Sequence, residues 1–253
     1  MNKKINAAII IFTLLSLLTG CGKEATASSS SVPSKTPEEQ ILANAEITDD
    51  MIKLVQFAEG TTATEEVTVS TSIGDITVVL YPEYAPKAVE NFLALAKTGY
   101  YDGQKFYRLV NNYMAQAGDP TGIGTGGESS FKDEGGKPIG FPCEYSINLW
   151  NFKGAIGMFP SAEGLNDSRF YIVTNSKLDT ETISSMTAAN FPKSVQAKYE
   201  AHGGAPWLDG KYTVFGQVTE GFDILDELSI AKTNADKLPL TDIIIKKISV
   251  KAK

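Results

Sequence analysis

Short runs of alternating apolar and polar residues, separated by turn residues, fill the chain from residue 66 onwards. Alternation with a period of two is typical of strands that bury one face. The pattern predicts eight strands, at 66–72, 75–81, 104–110, 113–117, 154–159, 169–174, 213–218 and 243–250. Ile73 and Gly74, between the first two strands, predict a hairpin turn.

Two segments follow a helical period instead. Pro86 suits the first position of a helix, and the apolar residues after it form one stripe that ends near Gly99. A second helix is predicted from Phe222 to Ile230. Eight strands with one helix early and one late predict a mainly β fold, a closed barrel with a helix at each end, because closure removes exposed sheet edges.

The first residues predict an export signal. Lys3 and Lys4 precede an apolar run over 5–18, which is shorter than the roughly 20 residues that a spanning helix needs. The run ends in Leu-Thr-Gly-Cys at 18–21 and resembles the signal peptide of bacterial lipoproteins. That resemblance implies cleavage after residue 20 and a lipid on Cys21. An ordinary secreted protein or an uncleaved membrane anchor is the alternative.

Residues 21–37 predict a lipidated cysteine followed by a flexible tether, because this stretch is rich in Ser, Thr and Ala and has few bulky apolar side chains. Residues 38–65 are predicted as an N-terminal extension. Its apolar spacing is helix-like, and Asp49 and Asp50 are placed to favour a helix N-terminus. The pattern leaves open whether this extension packs on the domain.

Composition excludes several classes of function. A formal net charge of −7 argues against nucleic-acid binding. One histidine and two cysteines are too few for a His-rich metal site, a zinc finger or a disulfide framework, so no metal is expected. No cofactor is expected either: Gly122, Gly124 and Gly127 have the G-x-G-x-x-G spacing, but no helix is predicted after them to receive a pyrophosphate. We interpret that segment as a flexible loop and His202 as a loop histidine.

An arginine lies among large apolar residues in the strands at 104–110 and 113–117. Phe106, Arg108 and Val110 share one strand face, and Met114 and Gln116 share a face of the next strand. A guanidinium beside apolar groups and an amide suits a binding or catalytic site. It equally suits a surface arginine lying over apolar surface. The pattern alone does not decide between these two interpretations.

Several blocks of sequence around this arginine resemble the cyclophilins, and they occur in the order found in that family. They are FYR at 106–108, YMAQAGD at 113–119, GTGG at 124–127, SRFYI at 168–172 and WLDGKYTVFG at 207–216, with PKAVENF at 86–92 on the first helix. The resemblance covers residues 66–250. It implies an eight-stranded antiparallel barrel capped by two helices, and peptidyl-prolyl cis-trans isomerase activity.

The resemblance also implies roles for individual residues. Arg108 matches the catalytic arginine of the family, Gln116 the amide that positions it, and Trp207 the tryptophan at the pocket rim. The residues that match the proline pocket are Tyr113, Met114, Tyr171 and Leu208. The other expected substrate-binding residues are Phe106, Phe159, Pro160, Arg169 and Tyr212.

Some of these positions depart from the family pattern. Arg169, Tyr171 and Tyr212 stand where the family usually has Gln, Phe and His. Phe159, Pro160 and Ser161 replace a typical Ala-Asn-Ala, and Pro160 has no N–H to offer a peptide. Arg169 is expected to repel Arg108, with Glu163 as a possible neutralising residue.

An insert at 175–205 separates the pocket blocks and is longer than in the shortest cyclophilins. Segments 178–180, 184–186 and 194–199 look partly helical. The insert either shapes substrate access or contacts a partner, or it is a neutral surface extension.

We therefore expect a monomeric isomerase, lipid-anchored through Cys21 to the outer face of a cell membrane, that acts on proline-containing exported polypeptides and assists their folding. A lysine-rich and arginine-poor composition favours a Gram-positive source. The alternative is a non-catalytic peptide-binding or adhesion lipoprotein on the same fold. A solute-binding lipoprotein is less favoured because its two-lobed α/β pattern is missing.

Overall fold

A computed structural model of the protein describes residues 47–58 and 65–251. All eight predicted strands are present, most of them a few residues shorter than expected. They are β1 (Glu65–Thr71), β2 (Asp75–Leu80), β3 (Arg108–Val110), β4 (Met114–Ala117), β5 (Ala155–Met158), β6 (Phe170–Val173), β7 (Val214–Glu220) and β8 (Ile245–Val250). The predicted mainly β class is confirmed.

The strands form a single curled antiparallel sheet in the order β3-β4-β6-β5-β7-β2-β1-β8. Strands β3 and β8 lie at the two ends of this order, and the described residues show no ladder between them. Their chains meet instead at one isolated bridge, between Lys105 and Ile244. The expected closure of the barrel is therefore not confirmed.

Helices α1 (Pro86–Lys97) and α4 (Phe222–Ile230) confirm the two predicted helices. Pro86 begins α1 as expected, and the carboxylate of Glu144 accepts hydrogen bonds from the N–H groups of Lys87 and Ala88 in its first turn. The apolar stripe of α1 enters the main core, where Phe92 contacts several other aromatic rings. The sheet thus wraps a core that α1 covers on one side.

The insert contains two further helices, which confirms that it is partly helical. They are α2 (Thr180–Ala188) and α3 (Lys193–His202). His202 is the last residue of α3 and not a loop residue as expected, and its ring stacks on Phe57 at 4.7 Å between centroids.

The N-terminal extension packs on the insert. Within residues 47–58 it forms two short 3-10 helices, Asp49–Met51 and Val55–Phe57, and no α-helix. The carboxylate of Asp49 also caps α3: it accepts hydrogen bonds from the N–H groups of Lys193 and Ser194. A carboxylate at a helix N-terminus satisfies backbone donors that have no partner within the helix.

The extension and the insert share a hydrophobic cluster separate from the main core. Its buried members are Trp150, Phe152, Leu178, Met186, Phe191, Val195 and Tyr199, with Ile47, Ile52, Leu54 and Phe57 of the extension packed against them. We call it the extension–insert cluster. It explains the helix-like apolar spacing of the extension, because these side chains face a neighbouring surface without forming a helix of their own.

Three predicted features fall on residues that the structure does not describe: the signal peptide at 1–20, the lipidated Cys21 and the tether up to residue 37. In the ranges 47–58 and 65–251, no helix combines the length and the apolar character needed to cross a membrane.

Candidate functional site

Arg108 and Gln116 face each other across the β3–β4 ladder. Nη1 of Arg108 donates to Oε1 of Gln116 at 3.5 Å, and the Gln116 side chain is buried, with Nε2 at 3.4 Å from Sδ of Met114. Arg108 is half-buried and takes part in none of the four ion pairs among the described residues. The amide therefore orients the guanidinium, while its charge stays without a carboxylate partner in this part of the chain.

A cluster of buried apolar side chains lies beside this pair, and we call it the pocket cluster because it contains the expected proline-pocket residues. Met114, Tyr171 and Leu208 belong to one cluster of buried side chains, and the half-buried rings of Tyr113 and Tyr212 pack against it. Strand register explains the grouping, because Gln116 pairs with Tyr171 across β4 and β6. The structure thus brings the expected proline-pocket residues together.

Gly157 makes room for the ring of Tyr171. A Cβ at position 157 would lie 2.4 Å from the Tyr171 phenol, which no side chain could tolerate without displacing that ring. The larger Tyr171, in place of the usual phenylalanine, is therefore accommodated by the absence of a side chain on β5.

The hydroxyl of Tyr171 belongs to a buried hydrogen-bond network that the sequence did not predict. Tyr171 donates to Oδ1 of Asn151 at 2.6 Å, and the side-chain and backbone N–H groups of Asn151 donate to Oδ1 of Asp209 at 2.8 and 2.9 Å. Tyr199 on α3 donates to Oδ2 of Asp209 at 2.6 Å. This network connects the floor of the pocket to the insert.

Asp209 carries an altered pKa. Burial raises its pKa to about 7, and the hydrogen bonds from Tyr199 and Asn151 lower it only in part. A carboxyl group with neutral hydrogen-bond partners and little access to water favours its protonated form.

Aromatic side chains form the rim of the pocket. Trp207, on the 3-10 turn Pro206–Leu208, is 42 % exposed and lies 5.3 Å from the Tyr113 ring between centroids. The rings of Phe159 and Tyr212 are parallel at 6.2 Å, and Tyr212 meets Tyr171 edge to face. The bulk that Phe159 adds therefore packs on Tyr212, another position that departs from the family.

The segment 159–161 has no backbone donor free for a peptide. The N–H of Phe159 donates to the carbonyl of Arg169, and the N–H of Ser161 donates to the carbonyl of Leu165. Pro160 between them has no N–H. If a peptide pairs with this segment, it does so through the carbonyl groups.

Arg169 is held by a neighbour other than the one expected. It is buried, and its Nε and Nη2 form a forked ion pair with the Asp167 carboxylate at 2.5–3.0 Å, while Nη1 donates to the carbonyl of Gly124. The ion pair of Arg169 is made by Asp167 and not by the expected Glu163, which is exposed. Asp167 lies two residues before Arg169 and also accepts a hydrogen bond from its backbone N–H, so this pair is local in sequence.

Two further expectations change with the structure. Phe106, expected to bind substrate, lies in the main core and not in the pocket cluster. The glycine-rich segment, expected to be a flexible loop, is anchored by Asp119, whose carboxylate accepts hydrogen bonds from the N–H groups of Thr121, Gly124 and Thr125. Gly126 leaves space for this anchor, since a Cβ at position 126 would lie 2.6 Å from Oδ1 of Asp119.

The site thus combines a cationic hydrogen-bond donor, without a carboxylate partner among the described residues, with the adjoining pocket cluster and the aromatic rings packed against it. Such a pocket can grip a small apolar ring while the donor faces the polar atoms attached to it. This arrangement suits the positioning of a proline and its amide.

Comparison with known proteins places this site in a family. Residues 66–250 match the family described as Cyclophilin type peptidyl-prolyl cis-trans isomerase/CLD. A Staphylococcus aureus (strain COL) protein, named "Putative peptidyl-prolyl cis-trans isomerase", is 41% identical over 185 residues, which cover 73% of this chain and 91% of that protein. A Staphylococcus epidermidis protein of the same name is 37% identical over 207 residues, 82% of this chain and 95% of its own.

Solved structures show the same relationship. The crystal structure of a Cryptosporidium parvum cyclophilin type peptidyl-prolyl cis-trans isomerase, determined in the presence of the dipeptide Ala-Pro, is 28% identical with a TM-score of 0.58. The match covers 74% of this chain and 99% of that one. A second structure of the same isomerase gives a TM-score of 0.59.

Proposed function

The chain belongs to the cyclophilin family of peptidyl-prolyl cis-trans isomerases, and from that premise we propose that it isomerises X-Pro bonds in exported polypeptides at a membrane surface, with Arg108 stabilising the twisted amide. The observation that carries the proposal is the placement of Arg108. Its guanidinium is oriented by a buried amide, is free of the ion pairs seen elsewhere in the described chain, and lies next to the apolar pocket.

The reaction needs only that the twisted state be favoured. Rotation about a peptide bond is opposed by amide resonance, with a barrier of roughly 18–20 kcal/mol. In the twisted state the proline nitrogen becomes pyramidal and can accept a hydrogen bond, which the planar amide nitrogen cannot. A donor aimed at that nitrogen therefore binds the transition state more tightly than either ground state.

The pocket residues supply the other half of this mechanism. Met114, Tyr171 and Leu208 hold the proline ring while the preceding carbonyl group turns. Gln116 keeps the guanidinium in place during that motion, since its own amide is fixed against Met114. Isomerisation of an X-Pro bond takes tens to hundreds of seconds without a catalyst, so exported chains that fold late have a use for this activity.

Turnover of a short proline peptide by the full-length protein in detergent tests the proposal. We expect Arg108→Ala to lower kcat/KM by roughly 10²–10³-fold, the usual cost of a preorganised transition-state donor. Lys105→Ala is the matched control, because it also removes a partly exposed cation near β3 but one that pairs with Asp242. Equal activity of Arg108→Ala and wild type would remove Arg108 from the mechanism.

A binding function without turnover is the alternative, and one observation favours it. The segment 159–161 offers a peptide no backbone donor, since two of its N–H groups are used within the fold and the third is absent. A folded protein that binds proline peptides but leaves their isomerisation rate unchanged would identify a peptide-binding lipoprotein.

The proposed location rests on the sequence of residues 1–21 and on the Staphylococcus relatives, which come from Gram-positive bacteria. In this proposal a lipid on Cys21 anchors the protein to the outer face of the cytoplasmic membrane. Expression of the wild type and of Cys21→Ala in a Gram-positive host with labelled palmitate tests it. We expect label and membrane association for the wild type only; label on Cys21→Ala would contradict the assignment.

A further inference from the structure

A second groove lies against the pocket rim, on the side of the insert. It has a volume of about 440 Å³ and is bounded by α2 and by the segment 206–211. The apolar side chains along it are Met186, Phe191, Pro206 and Trp207, and its polar edge carries Asp179, Glu181, Ser185 and Lys211. Of the residues that line the groove, Trp207 and Asp209 also belong to the site described above.

Trp207 connects the two regions. One contact of its ring is with Tyr113 of the pocket, and the same residue lines the groove. The neighbouring Leu208 belongs to the pocket cluster, while Asp209 lines the groove and ends the hydrogen-bond network that begins at Tyr171. When a proline of a polypeptide occupies the pocket, the chain next to that proline can therefore lie in the groove.

The groove has an acidic edge. Asp179 and Glu181 are exposed near the start of α2, and Lys211 is the one basic side chain among the residues that line it. The whole chain also carries a formal charge of −7. An apolar floor with an acidic edge is complementary to a segment that combines apolar and basic side chains.

We propose that this groove is an extended substrate site, which binds the part of a client polypeptide next to the isomerised X-Pro bond and prefers basic residues there. This inference rests on the proposed isomerase function, and it names the client: an extended chain with a lysine or arginine close to the proline. Contacts made at a distance from the reacting bond raise kcat/KM when they are realised in the transition state. The insert is therefore a selector of substrate sequence.

The test compares a short proline tetrapeptide with a longer peptide that has the same X-Pro core extended on both sides by lysine and leucine. For the full-length protein in detergent we expect kcat/KM to be roughly tenfold higher for the longer peptide. Ser185→Trp fills the groove and should abolish this advantage without changing turnover of the tetrapeptide. Ser184→Trp is the matched control, because Ser184 is an exposed serine of the same helix that does not line the groove.

A charge reversal tests the preference for basic residues and does not depend on steric filling. Glu181→Lys should reduce the preference for lysine-flanked over glutamate-flanked peptides by roughly fivefold at low salt, and the reduction should shrink as ionic strength rises. Glu200→Lys, an exposed acid on α3 away from the groove, is its control.

Fluorescence anisotropy of a labelled long peptide gives a readout that does not need turnover. Weaker binding to Ser185→Trp than to Ser184→Trp supports the groove even if the protein is inactive. Equal kcat/KM for the two peptide lengths, together with equal binding to both tryptophan variants, overturns it while leaving the isomerase intact. Failure of the wild type to turn over the tetrapeptide is a separate result, which counts against the proposed function itself.

Discussion

Arg108 and Arg169 are the two arginines of the chain, and their guanidinium groups differ in burial and in hydrogen-bond partners. Arg169, just before β6, is buried and its guanidinium is occupied by Asp167 and the carbonyl of Gly124. Arg108, on β3, is half-buried and has one long hydrogen bond to an uncharged amide. A fully paired arginine holds the fold together, whereas an arginine left with unused donors can serve a bound molecule.

The largest effect is expected when Arg169 loses its ion-pair partner, Asp167. Asp167→Ala leaves a buried guanidinium without its carboxylate, and we expect a loss of about 3–5 kcal/mol in the free energy of unfolding. Urea denaturation followed by circular dichroism measures it. Because the cost comes from the unpaired charge, the double variant Asp167→Leu/Arg169→Met should be less destabilised than Asp167→Ala. A double variant as unstable as the single one would show that the ion pair is not the cause.

Arg108→Lys tests whether Arg108 contributes to turnover rather than to stability. Lysine keeps the positive charge but loses the planar fork that Gln116 orients, so turnover should fall by roughly 10–100-fold. Stability should change by less than about 0.5 kcal/mol, since Arg108 has no ion pair within the described chain. Isomerase kinetics and urea denaturation on the same sample separate these effects. Loss of stability without loss of turnover would reverse the roles assigned to the two arginines.

Asp209 is a buried acid whose hydrogen-bond partners, Asn151 and Tyr199, are uncharged. Its folded-state pKa of about 7 lies above the value near 3.9 of an unfolded aspartate, so between these values the native state binds more protons. The contribution of Asp209 to stability is therefore present below about pH 4 and is lost as pH rises to about 7, by up to about 1.4 kcal/mol per pH unit.

Asp209→Asn removes this titration and retains a side chain that can hydrogen-bond to Asn151 and Tyr199. The measurement is the free energy of unfolding of both proteins between pH 5 and pH 8. We expect the wild type to lose stability relative to Asp209→Asn up to about pH 7 and no further change above it. Parallel curves across the whole range would mean that Asp209 is ionised in the native state.

Asp49 gives the smallest expected effect, because its charge is exposed. Its hydrogen bonds from Ser194 lower the pKa of the carboxyl group, as expected for a helix cap. Asp49→Ala should therefore lower the thermal unfolding midpoint by a few degrees. Asp50→Ala is the control, since within the described residues the Asp50 carboxylate accepts one hydrogen bond, from the neighbouring Thr48. Identical midpoints for the two variants would exclude a capping role.

The sequence predicted what depends on local pattern. Alternation located all eight strands, and the spacing of apolar residues located α1 and α4. The pocket residues were predicted from the resemblance to the cyclophilins. In the structure, strand register places Gln116 opposite both Arg108 and Tyr171. Features that depend on neighbouring residues can therefore be predicted from the sequence.

Features that depend on distant parts of the chain were missed. Asn151 and Asp209 are 58 residues apart, and nothing in either neighbourhood indicates that their side chains meet. Asp49 begins a short 3-10 helix in the predicted place, but its carboxylate also caps a helix 144 residues further on, which no local pattern indicates. The apolar residues of the extension have the spacing of an amphipathic helix. The same spacing also occurs where an irregular segment packs its apolar side chains against a neighbouring surface.

The attachment of the extension determines how the protein would respond to a pulling force. Its bonds to the rest of the chain follow one another in sequence: Asp49 to Ser194, the N–H of Lys53 to Asn148, and Gln56 to Trp150 and Gln217. A pull on the chain at residue 47 loads these bonds one after another, as in peeling, and not all at once. Tension would therefore detach the extension residue by residue, and the sheet would bear load only when the bond between Gln56 and Gln217 of β7 is reached.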